Sequence, residues 1–92
     1  PVYYMVEMLN QLKSSFGWWD DDEAKAIGVF KKLTTQSQLS FFADWFNTTD
    51  ENGTAGGDLL SWLRGSAYPH DRLSDSEVDE INRYIQKLPK YS

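Results

Sequence analysis

The chain has 92 residues with 14 acidic and 9 basic side chains, so its formal net charge at neutral pH is -5. That length allows one domain, and the acidic balance argues against nucleic acid, whose phosphates need clustered Lys and Arg. With no cysteine among the 92 residues, disulfides, thiol catalysis and Cys-based zinc sites are excluded. No apolar run approaches the roughly 20 residues of a membrane span.

In chain order, Val2, Met5, Val6, Leu9, Leu12 and Phe16 recur at helical spacing and predict a first helix over 2–16. Gly17 is read as its stop, because glycine tolerates the left-handed backbone that ends helices. Asp20 or Asp21 is placed as the cap of a second helix whose apolar positions are Ala26, Ile27, Phe30 and Leu33. Thr35, with Gln38 three residues on, has the form of a capping box and opens a third helix. Its stripe is Leu39, Phe42, Ala43 and Phe46. Phe41 and Trp45 lie beside that stripe, so this helix is expected to be apolar on more than one side and nearly central.

The stretch 47–57 is polar and glycine-rich and reads as a loop. Asp58 caps a short fourth helix carrying Leu59, Leu60, Trp62 and Leu63, stopped by Gly65. A connection over 66–73 contains Pro69, which excludes helix nearby. Ser74 and Glu77 form a second capping box. Val78, Ile81, Ile85 and Leu88 then mark a one-faced helix that Pro89 ends. No segment alternates at period two, so the fold class is all-α, a compact five-helix bundle.

Few residues carry the marks of chemistry. The acidic run Asp20, Asp21, Asp22 and Glu23 suits a helix start and is also a weak cation candidate. The loop around Asp50, Asn52 and Asp58 fails as an EF-hand: with Gly53 at the sixth position, Leu59 stands where a bidentate Glu is needed. A loosely held cation is the reading that remains for it. His70 is the only histidine, and no second ligand or nucleophile is spaced to use it. Glu7, Glu23, Glu77 and Glu80 all fall on helices, and no hydrolase or phosphate-loop motif occurs. An enzyme is therefore not expected. Trp18 and Trp19 are adjacent and cannot be buried equally, and Tyr3, Tyr4 and Tyr91 add rings near the two ends. These five are the expected contact residues. Arg64, Arg72, Arg83, Lys87 and Lys90 put base near the end of the chain while acid stands at the first loop; this reads as ordinary solubilising charge, with head-to-tail self-association as the alternative.

The order of these junctions resembles one annexin repeat over about 2–88. Phe16 and Gly17 fall where that repeat's first loop begins, Asp20 to Glu23 match its acidic part, Ala26 and Ile27 its Ala-Ile, and Gly56, Asp58 and Leu59 its Gly-x-Asp-Leu junction. The resemblance implies calcium held by carbonyls around Gly17 together with an acid near the end of the fourth helix. Here Trp19 stands near the loop's second glycine, Asp20 replaces its threonine, and Ser66 occupies the place of the closing acid. The implied calcium loop is degenerate. Single repeats of this kind resemble accessory modules of bacterial and phage proteins. The expected function is a non-catalytic structural or protein-interaction module of a virion or bacterial envelope assembly, with the chain a module or fragment of something larger. Calcium-dependent binding to a membrane surface is the first alternative, and a cell-wall-binding or lytic accessory module the second.

Overall fold

A computed structural model of the chain describes residues 2–17, 20–49, 58–65 and 72–92. Trp18, Trp19, Asp50, Asn52, His70 and most of the two expected loops lie outside the described residues. Five helices follow in order: α1 (Tyr3–Ser15), α2 (Glu23–Phe30), α3 (Gln36–Thr48), α4 (Leu59–Arg64) and α5 (Asp75–Gln86). Among the described residues there is no strand; Phe16 and Asp21 form an isolated antiparallel bridge. The all-α fold class is the one observed.

Each helix buries one side in a shared core. Leu12, Ala26, Phe30, Phe42 and Phe46 are almost fully enclosed, and Leu63, Ile81 and Ile85 complete the packing from α4 and α5. Phe46 packs at 5.5 Å on Trp62, and Phe16 meets the same indole edge-on at 5.4 Å. These offset and edge-to-face contacts suit the charge distribution of aromatic rings.

Helix starts agree closely with the cap residues. Thr35 and Ser74 both form complete capping boxes with Gln38 and Glu77, and Asp58 accepts from the Ser61 backbone N–H. Gly65 ends α4 with φ of 73°, in the region that favours glycine. Helix α5 stops at Gln86, just before Pro89, because the residue preceding proline is held out of the helical region.

Four expectations are corrected. The buried face of α1 is Met5, Met8, Leu9, Leu12 and Ser15, while Val2 and Val6 are exposed. Val6 is one residue, or about 100°, around the helix from Met5. Helix α3 is not central on every side: Phe42 and Phe46 are buried, but Phe41 is exposed. Asp22, not Asp20 or Asp21, caps α2, accepting from the Lys25 N–H at 3.0 Å. The chain is still extended at Asp21, which bridges to Phe16, and the Asp22 N–H returns to the Ser15 carbonyl at 2.6 Å. Finally, Gly17 does not adopt a left-handed conformation. Its N–H donates to the Asp20 carbonyl, and a Cβ there would lie 2.6 Å from that same backbone oxygen. Close approach, rather than handedness, requires glycine at this corner.

The two glycines of the first half should therefore respond oppositely to alanine. Gly28 lies inside α2 with nothing within 4 Å of a built Cβ, so Gly28→Ala is expected to stabilise by about 0.5–1 kcal/mol. Gly17→Ala should destabilise by about 1–3 kcal/mol, the usual cost of overpacking. Urea unfolding of both variants followed by circular dichroism checks the two signs.

Candidate interaction surface

The turn between α2 and α3 is where distant parts of the chain meet. Just beyond α2, whose Ile27, Val29 and Phe30 carbonyls accept from Lys31, Lys32 and Leu33 N–H, the Tyr84 hydroxyl on α5 donates into the carbonyls of Lys31 at 2.7 Å and Leu33 at 3.0 Å. Lys31 also pairs with Glu80 at 2.8 Å. On the other side of the turn, Gln38 Oε1 accepts from the Thr34 and Thr35 N–H groups. The Tyr4 hydroxyl of α1 donates to Gln38 O at 3.0 Å.

The first turn of α3 is closed from the far end of the chain. Gln36 N–H donates to Pro89 O at 2.9 Å and Ser37 N–H to Lys90 O at 3.0 Å. The Gln36 side-chain amide donates to Leu88 O at 3.0 Å. With Gln38 N–H bonded to Thr35 Oγ1, the first three backbone donors of α3 are all engaged. The C-terminal segment is thus laid against the start of α3.

That arrangement creates a surface groove of about 320 Å³ lined by Gln36, Ser37, Ser40, Phe41, Lys90 and Tyr91. Phe41 is 59% exposed and Tyr91 75% exposed. Tyr3, on α1, is 79% exposed, with Val2 and Val6 exposed beside it in sequence. Three large rings in water on so small a protein are a departure from simple core-building, and exposed aromatic groups are the usual anchors of contact surfaces.

The expected contact residues therefore divide. Tyr3 and Tyr91 project into solvent. Tyr4 is half-buried, with its hydroxyl committed to Gln38 O and its phenol pushed up by burial. Trp18 and Trp19 lie outside the described residues. Phe41 joins the exposed rings; its flanking position beside the α3 stripe was the available signal. No pattern in the sequence pointed to its pairing with Tyr91, fifty residues away.

The expected cation ligands are not gathered. Asp20 is exposed and Asp21 half-buried, and the Asp22 and Asp58 carboxylates are used on the starts of α2 and α4. Gly17 offers its N–H to Asp20 O. Among the described residues no group of three or more His, Asp or Glu side chains converges. Beside this corner Arg72 is held in place: its guanidinium lies 4.7 Å from the Trp62 ring centre and 5.2 Å from that of Phe16, and donates to Trp62 O at 2.9 Å. The guanidinium caps the edge-on Phe16–Trp62 pair by cation–π contact and staples the approach to α5 onto the end of α1 and onto α4. No helix of the described residues is long and apolar enough to cross a membrane.

Comparison with known proteins gives no match: no family model, curated protein or solved structure is significantly similar to this chain.

Two predictions follow from the caps and the staple. The Asp58 carboxyl is held below its ordinary range by the Ser61 N–H, and Glu80 by its hydrogen bond from Lys31 and that ammonium's charge. Depressed carboxyls stabilise the fold above the unfolded range, about 4, and lose that contribution as pH falls through the folded values. The urea midpoint should decline below about pH 4, and the decline should be shallower in the double variant Asp58→Asn, Glu80→Gln. Separately, Arg72→Ala should lower stability by about 1–2 kcal/mol, with Arg72→Lys recovering only part because lysine lacks the planar fork; thermal unfolding measures both.

Proposed function

We propose that this domain is a non-catalytic protein-interaction module that works inside a larger assembly, with its contact face at the exposed rings of Phe41 and Tyr91 and, on α1, Tyr3. The observation that carries this reading is the exposure of those three rings while Phe30, Phe42 and Phe46 are enclosed in the core. Burying an aromatic side chain is worth about 1.5–3 kcal/mol relative to leaving it in water, so a partner that covers these rings gains substantially.

The surface around them has the composition of an interface rather than of a reaction site. Aromatic anchors are bordered by hydroxyl and amide groups, and the charged members are few. The described carboxylates with shifted acidity owe their shifts to a helix cap and a surface ion pair. The annexin-like order of caps and short helices supports placement as an accessory module of a bacterial or phage assembly, of the virion or envelope kind.

The test is incorporation. Tagged chain expressed in its source should fractionate well above its own 10.6 kDa, and the triple variant Tyr3→Ser, Phe41→Ser, Tyr91→Ser should shift to the monomer position while keeping its helical circular dichroism. Equal fractionation of the two proteins, at any size, would sink the proposal.

A further inference from the structure

We draw no further inference here: the strongest candidate, the groove between the start of α3 and the C-terminal segment with its exposed Phe41 and Tyr91 rings, is the contact face already described, and with the Ser37 and Ser40 hydroxyls bonded to Thr35 Oγ1 and Gln36 O nothing in the structure shows what covers it.

Discussion

Five short helices in so small a chain expose many helix ends, and satisfying those ends is the constraint on which the rest of this structure depends. Every helix terminus leaves several backbone donors or acceptors without partners. Here they are met by local caps at Asp22, Thr35, Asp58 and Ser74 and, at the α2–α3 turn, by groups from far along the chain. Tyr84 bonds the carbonyls just beyond α2, and the carbonyls of Pro89 and Lys90 close the start of α3. Long-range contacts of this kind tie α1, α2, α3 and α5 into one corner while the core fills with Leu, Ile and Phe.

The exposed surface is a consequence of that closure. Because the C-terminal segment lies against the first turn of α3, Lys90 and Tyr91 are delivered to the side of Ser37, Ser40 and Phe41. The same bonds that stabilise the helix start also remove it as an anion site. A helix N-terminus that would otherwise attract phosphate or carboxylate is left with the Lys90 ammonium and two exposed rings as its outward chemistry, the hydroxyls of Ser37 and Ser40 being bonded to Thr35 Oγ1 and Gln36 O. The structural role of the segment and the character of the groove are one arrangement seen from two sides.

The acidic corner has a similar economy. Asp20, Asp21 and Asp22 stand together in sequence, a grouping that suggests a shared ligand. In the fold they diverge in task. Asp21 bridges to Phe16, Asp22 caps α2, and the Asp20 carbonyl accepts from Gly17. A tight corner with no room for a Cβ at Gly17 explains the glycine more directly than a metal loop does.

The sequence by itself determined the helices and where α3, α4 and α5 begin, because capping is a local matter: Thr35 and Gln38, or Ser74 and Glu77, need only each other and the intervening backbone. It also determined most of the core through 3.6-residue spacing, as with Ala26, Ile27 and Phe30 on α2. It misplaced Val6 and missed Met8 because α1 carries more apolar residues than one face can hold, and the choice among them is made by the neighbouring helices. It named Tyr3 and Tyr91 as contact rings, yet could not separate them from Tyr4, whose hydroxyl is drawn inward by a carbonyl 34 residues away. The groove itself was decided only by tertiary structure. Its two walls, Ser37 to Phe41 and Lys90 to Tyr91, come from opposite ends of a long stretch of chain, and only hydrogen bonds between α3 and the C-terminal segment bring them together.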